Sequence, residues 1–250
     1  MSLSPTMQTA GIISQVRMGS TRLPGKVLRP AAGRPLLDYH VQRLQQSGLP
    51  VLLATTTEPA DDVLAAYAAE RGLPCHRGSE ADVLARYYET AQRFGLDVIV
   101  RVTSDCPLVD GQLIGSAVQR YLDEGNPWVY RSNAIVRTFP RGLDFEIFSM
   151  EMLTEAYHQA TLPYEREHVT PYLKTNPSAA SRVQYRNEVW PGGDYSRFRI
   201  TLDTAEDYEV LRRLIEEHRA QELDVAALLA LLQAQPGIMA LNAHIEQKAT

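Results

Sequence analysis

The chain has only two cysteines, Cys75 and Cys106, in 250 residues. That excludes a disulfide framework and fits a reducing compartment. Lysine is almost as scarce, at Lys26, Lys174 and Lys248. No run approaches the ~20 apolar residues of a membrane span; the most apolar stretch, Val225 to Leu232, is short and follows Asp224. The N-terminus lacks a basic region followed by an apolar one, the mark of a secretory signal. The expectation is a cytoplasmic protein with no membrane partner. Residues 1–8, with Met1-Ser2-Leu3 ahead of Met7, read as a flexible tail or cloning scar. The whole chain is 44% hydrophobic and 22% charged, with 15 Gly and 15 Pro, which excludes collagenous, low-complexity and disordered classes. The length suits one domain, expected to occupy residues 1–250.

Acidic residues are missing from one place in particular. None precedes Asp38, whereas Arg17, Arg22, Lys26, Arg29 and Arg34 all do. The net charge of -5 therefore combines a positive N-terminal segment with an acidic body. Such a split points to one local anion site and argues against a nucleic-acid-binding face.

The hydrophobic pattern alternates between strand and helix. Strands are expected at Thr9–Gln15, Val51–Thr55 and Asp97–Val102, and helices at Pro35–Gln46, Asp61–Arg71 and Ala81–Phe94. Apolar runs alternating with helices of 10 to 15 residues predict βαβ units and a mostly parallel sheet. From Trp128 the pattern is mixed. Extended segments are expected at Trp128–Arg131, Leu143–Phe148, Val183–Glu188 and Arg197–Leu202, and helices at Glu151–Gln159, Glu165–Leu173, Ala205–Arg219 and Val225–Leu232. Thr204 with Asp207 forms a capping-box pattern at the start of the third of these helices.

Three segments carry candidate chemistry. The first strand runs into Val16-Arg17-Met18-Gly19-Ser20-Thr21-Arg22-Leu23-Pro24-Gly25-Lys26. It is not an ATPase phosphate loop: five residues separate Gly19 from Gly25 where four are needed, and Val27 stands where a magnesium-binding hydroxyl belongs. Two guanidiniums, an ammonium, two hydroxyls and small-residue amides nevertheless suit a polyphosphate, the alternative being a solvated basic loop. In Arg101-Val102-Thr103-Ser104-Asp105-Cys106-Pro107, Asp105 ends an apolar strand, as a metal carboxylate or as a turn residue. In Thr201-Leu202-Asp203-Thr204, Asp203 could likewise bind a ligand or simply favour the helix start.

Taken together, these segments resemble the bacterial CMP-sugar synthetases, the cytidylyltransferases that include the CMP-KDO and acylneuraminate enzymes, and above all the spore-coat-polysaccharide type. The resemblance rests on Arg17 to Lys26, Gly33-Arg34-Pro35-Leu36-Leu37, Arg77 to Tyr87, Thr103 to Asp110 and Leu202 to Tyr208. It implies an α/β, Rossmann-like nucleotide-diphospho-sugar transferase fold, with a mixed, mostly parallel sheet flanked by helices. It also implies an enzyme that uses CTP and Mg2+ to make a CMP-sugar and pyrophosphate for surface polysaccharide or glycan, working as a homodimer. Carried over by position, Arg17, Ser20, Arg22 and Lys26 would hold the triphosphate, with Arg17, Lys26 and Asp105 catalytic, and Asp105 and Asp203 would hold the metal. Thr55, Gly78, Ser79 and Asp82 would lie near the cytosine and ribose, and Asp144, Glu146, Glu165 and His168 on the sugar side. His168 reads as structural or substrate-contacting rather than as the base.

Overall fold

The computed structural model describes residues 8–247. The expected tail at 1–8 therefore lies almost wholly outside the described residues, as does Lys248. Among the described residues there are nine strands: β1 (Ala10–Gln15), β2 (Pro30–Ala31), β3 (Arg34–Pro35), β4 (Val51–Thr56), β5 (Cys75–Gly78), β6 (Val98–Thr103), β7 (Val129–Ser132), β8 (Glu146–Ser149) and β9 (Gln184–Asn187). Seven of them form one sheet in the order β5-β4-β1-β6-β8-β7-β9, while β2 and β3 make a separate two-stranded ribbon. β4, β5 and β6 run parallel to β1 or its neighbours; β8 is antiparallel to both β6 and β7.

The helices are α1 (Leu36–Gln45), α2 (Asp62–Glu70), α3 (Val83–Arg93), α4 (Gly111–Glu124), α5 (Met150–Gln159), α6 (Pro163–His168), α7 (Pro171–Thr175), α8 (Pro177–Ala180), α9 (Ala205–His218), α10 (Val225–Ala234) and α11 (Pro236–Met239). Successive strand side chains point to opposite faces, and the core divides accordingly. Ile13, Leu52 and Ile99 pack with α3 and α5 residues, whereas Ile12, Val51, Val98 and Val100 pack with α4 and Leu44 of α1. A further apolar cluster joins α9, α10 and α11 to Leu36, Phe139 and Ile200.

Local chemistry explains the element ends. Asp82, Asp110, Ser149 and Asp224 each accept a backbone N–H at the start of α3, α4, α5 and α10, satisfying donors that have no intrahelical partner. Thr204 and Asp207 form the expected capping box on α9. Gly111 sits so close to α1 that a Cβ there would lie 2.1 Å from the Arg43 carbonyl oxygen. Beside it the buried Arg43 donates from Nε to the Val109 carbonyl at 2.7 Å and from Nη1 to the Gln221 and Leu223 carbonyls at 2.9 Å, and pairs with Asp110 at 3.3 Å. One side chain thereby joins α1, the start of α4 and the C-terminal helices.

Several sequence expectations are corrected. Helix α4 and strand β5 were not foreseen. The expected helix Glu165–Leu173 is two helices, because Pro171 has no N–H for the Glu167 carbonyl, and the chain turns at Val169 with φ 72°. The expected strand Arg197–Leu202 joins no sheet: Arg197 sits in a turn and Arg199 makes an isolated bridge. The segment bonds to Arg141 on both sides of Arg199, then crosses to Asp105, whose carbonyl accepts the Leu202 N–H at 2.8 Å. Pro35 belongs to β3 and precedes α1 instead of opening it.

Candidate active site

The chain moves outward from β1 through β4 to β5, then returns to add β6 on the other side of β1. Open α/β sheets bind ligands outside the carboxyl ends of strands at such a reversal. A cleft of about 890 Å³ lies there, lined by residues of the 15–27 loop, Thr103 to Asp105, α3, α6 and Asp203.

The basic loop is held by its own backbone and by one buried acid. The Ser20 and Gly25 N–H groups both donate to the Met18 carbonyl, at 2.9 and 3.1 Å. The Met18 N–H donates to Asp61 at 2.7 Å, and Leu23 and Val27 are buried beneath. Gly25, at φ 65°, makes the left-handed turn that delivers Lys26.

Lys26 is the centre of the site. Its Nζ donates to Asp203 Oδ1 at 2.7 Å and to Asp105 Oδ2 at 3.2 Å, so residues 79 and 177 positions away converge on one ammonium. Arg22 pairs with Asp203 Oδ2 at 3.1 Å, as does Arg199, which also binds Asp207. The Thr103 hydroxyl donates to Asp105 Oδ1 at 2.5 Å. Burial alone would lower the Lys26 pKa, but the two carboxylates raise it above its ordinary value. Burial would likewise raise Asp105, and the Lys26 ammonium with the Thr103 hydrogen bond holds it below the usual carboxylate range instead.

Asp105 is also anchored from behind. Thr201 Oγ1 and the Leu202 N–H donate to its carbonyl. The next carbonyl, of Cys106, lies 2.8 Å from His40 Nδ1, and His40 Nε2 lies 2.8 Å from the Ser14 hydroxyl. A carbonyl can only accept, so Nδ1 carries the proton and Nε2 accepts from Ser14. Burial lowers the His40 pKa to about 4, which keeps the ring neutral.

The cleft brings together Arg17, Ser20, Arg22, Lys26, Asp105, Asp203 and His168 from the sequence reading. Arg17 is half-exposed and pairs with Glu80 at 2.9 Å. Thr55, Gly78, Ser79, Asp82, Asp144, Glu146 and Glu165 are not among the lining residues. Thr55 is buried in β4. The Ser79 hydroxyl accepts the Asp82 N–H, and Asp82 caps α3 and binds Arg166, which does line the cleft. Asp144 pairs with Arg137. Glu165 accepts the Thr161 and Leu162 N–H groups at 3.1 Å and so closes the start of α6.

Glu146 lies beneath the cleft floor, opposite Arg101 in the β6–β8 register and paired with it. It also accepts from Tyr130, Thr170 at 2.8 Å and Lys174 at 3.2 Å. Against the effect of burial, Arg101 and Lys174 lower its pKa to about 2. Its partner Arg101 lines the cleft, as do Arg86 and Arg166. Sequence reasoning gave these three no role. The signal for Arg101 was a charge inside the otherwise apolar strand Val98–Thr103; Arg86, to which no role was given, is the second arginine of the Arg77-to-Tyr87 motif.

Comparison with known proteins places this geometry. The family model for cytidylyltransferases matches residues 10–233. Over 233 residues the chain is 36% identical to the spore coat polysaccharide biosynthesis protein SpsF of Bacillus subtilis (strain 168), covering 90% of this chain and 94% of SpsF. The solved structure of a cytidylyltransferase from Leptospira borgpetersenii superposes with a TM-score of 0.88 at 35% identity, covering 96% of this chain and 100% of that one. The structure of CMP:2-keto-3-deoxy-manno-octonic acid synthetase complexed with CTP, at 18% identity and a TM-score of 0.59 over 86% of this chain and 100% of its own, shares the fold. The chain belongs to the cytidylyltransferase family, and the protein is an enzyme of that class.

Proposed function

We propose that the enzyme transfers CMP from CTP to a sugar hydroxyl, releasing pyrophosphate, and that the CMP-sugar serves polysaccharide assembly. SpsF and the synthetase complexed with CTP support the pathway and the nucleotide. The observation that carries the reading is the convergence of Arg22, Lys26, Asp105 and Asp203 at one end of the cleft.

In-line attack of a hydroxyl on the α-phosphorus needs positioning and neutralisation of the charge that grows on the leaving pyrophosphate. Arg17, Arg22 and Lys26 supply that positive charge from a loop whose backbone is already fixed. Ser20 Oγ accepts the Leu23 N–H at 3.3 Å, which leaves its hydroxyl proton for a phosphate oxygen. Arg101, locked by Glu146, and His168 with Arg166 on α6 line the remainder of the cleft, where the sugar would sit. On this reading Glu146 and Asp82 act through Arg101 and Arg166, Glu165 shapes α6, Thr55 and Gly78 are buried, and the exposed Ser79 and part-exposed Asp144 lie outside the cleft lining.

The donor set suits Mg2+. Among the described residues no three acidic, His or Cys side chains form a metal cage, but Mg2+ is commonly held by one or two carboxylates together with substrate phosphates. Asp105 and Asp203 offer two hard-oxygen ligands already gathered around a cation. Bound there, Mg2+ would withdraw charge from the α-phosphoryl oxygen.

We further propose that the chain acts as one domain, as a homodimer, in the cytoplasm. Two free thiols support a reducing compartment, and family resemblance supports the dimer, which light scattering tests. Among the described residues no helix is long and apolar enough to cross a membrane. The function is tested by following pyrophosphate release from CTP, UTP, ATP and GTP with a panel of sugars. Turnover with UTP and none with CTP would overturn the cytidine assignment.

A further inference from the structure

After α11 the chain returns to the site. Leu241 packs on the apolar cluster that joins α9, α10 and α11. Asn242, 2% exposed, donates from Nδ2 to the Arg199 carbonyl at 3.0 Å and to Asp207 Oδ1 at 2.8 Å. The Ile245 N–H closes a turn onto the Asn242 carbonyl at 3.0 Å. Residues 240–247 thus form a strap pinned beside the start of α9, and Gln247 within it lines the cleft. The strap lies beyond residues 10–233, the stretch that matches the cytidylyltransferase model.

Arg199 orients Gln247. Its Nε and Nη2 donate to Asp207 Oδ1 and Oδ2 at 2.8 and 2.9 Å, Nη2 also reaches Asp203 at 3.1 Å, and Nη1 donates to Gln247 Oε1 at 2.6 Å. Asp207 already fixes the fork, so Gln247 is the partner that gains its position from the contact. A guanidinium has donors only. The amide oxygen therefore faces Arg199, and Nε2 with its two N–H groups faces away from it. Among the described residues Nε2 has no acceptor of its own. Donation into the oxygen polarises the amide and makes those N–H groups better donors. Arg22 and Arg199 share Asp203 Oδ2 while Lys26 holds Oδ1, so Gln247 stands at the end of the cleft that gathers the loop cations.

We propose that Gln247 is a further phosphate-binding residue: the 240–247 strap delivers its amide to the β- and γ-phosphates of the nucleotide, the part that leaves as pyrophosphate. Arg199 is 6% exposed and does not itself line the cleft. It acts on the phosphates through this amide, which adds two donors beside Asp203 without adding charge.

The inference rests on the nucleotidyl-transfer reading, and inorganic pyrophosphate tests it without the base. Wild-type enzyme whose pyrophosphate binding depends on Gln247, but which turns over UTP and not CTP, would reject the cytidine reading and uphold this one. Calorimetry in Mg2+ buffer is run with pyrophosphate, CTP and CMP on wild type, Gln247→Met and Gln247→Glu, with Tm recorded for each. Gln247→Glu separates the two roles the side chain could have. Its carboxylate keeps an acceptor for Arg199 and replaces both donors with an oxygen that repels phosphate. A hydrogen bond to a charged group is worth about 10- to 100-fold in affinity, and Gln247 is exposed. Gln247→Met should therefore weaken pyrophosphate and CTP by about tenfold, at the low end of that range, and Gln247→Glu by more, while Tm in Gln247→Glu stays at or above wild type and CMP affinity changes little. Wild-type pyrophosphate affinity in Gln247→Glu would reduce Gln247 to a prop for Arg199 and overturn the proposal. Equal weakening of CMP and CTP would take the contact off the leaving phosphates and overturn it as well.

Discussion

Replacing Lys26 by Met keeps the alkyl stem and removes the charge on which Asp105 and Asp203 converge. The contacts of 2.7 and 3.2 Å are each on the order of 5 to 6 kcal/mol of gross attraction at an effective dielectric of about 20. Desolvation offsets much of this, and removing one member of a buried pair usually costs about 3 to 5 kcal/mol. The three side chains are 13%, 25% and 16% exposed, and Arg22, Arg199 and Thr103 still serve the carboxylates. The loss should therefore fall low, at about 2 to 3 kcal/mol. For a chain of this length that lowers Tm by roughly 5 to 10 °C.

The loss should also depend on divalent cations. The destabilised element in Lys26→Met is a pair of carboxylates lacking their shared cation, and millimolar Mn2+ or Mg2+ can supply one. Differential scanning fluorimetry at pH 7.5, with and without metal and with no nucleotide, should show a larger rise in Tm for Lys26→Met than for wild type. Mn2+ titration followed by electron paramagnetic resonance should show tighter binding to the variant. Equal metal effects in both proteins, or a variant Tm within about 1 °C of wild type, would refute the reasoning: the carboxylates would then be held apart by the fold without help from Lys26.

Strands β1, β4 and β6 of the parallel half were legible in the sequence because each is a mostly apolar run, as in Val51–Thr56 and Val98–Thr103. Helix α4 went unassigned in the sequence, and its two glycines, Gly111 and Gly115, weaken the helical signal. They are there because α1 passes against them, a tertiary fact with no local signature. β5 was hidden because Cys75-His76-Arg77-Gly78 is an edge strand with no apolar period. Within the site, Arg17 to Lys26 announced itself by composition, and Asp105 and Asp203 by standing at element ends. Their meeting on Lys26 was not readable, since only the fold brings positions so far apart into contact. Glu146 and Glu165 show the converse. Their residue type fits a substrate-binding role, yet Arg101 and the Thr161 and Leu162 amides ahead of α6 engage their carboxylates.

Asp105→Asn should lower metal-dependent kcat by about 10²-fold or more, as for loss of a main electrostatic stabiliser, with circular dichroism unchanged; undiminished turnover would remove Asp105 from the site. Gly111→Ala should destabilise by several kcal/mol, because the Arg43 carbonyl leaves no room for a methyl group, and a urea midpoint equal to wild type would contradict the close packing of α4 on α1. Arg101→Met should leave Lys174 as the one cation paired with Glu146 among the described residues, raising the KM for the sugar while sparing CTP affinity; a selective loss of CTP binding would move Arg101 to the nucleotide side. The pH dependence has a defined sign. His40 has its folded pKa depressed from 6.5 to about 4, so its contribution to stability is fully present above the unfolded value and is lost as pH falls toward 4. At 1.36 kcal/mol per unit, the loss is about 3 kcal/mol between pH 6.5 and 4. Glu146, depressed from 4.5 to about 2, acts in the same direction but only below pH 4.5. Chemical denaturation at half-unit steps should therefore show wild-type stability falling already between pH 6.5 and 5, and the non-titrating His40→Gln flat across that interval. A parallel slope in both proteins would mean that the ring buried behind Asp105 is not the group that protonates on unfolding.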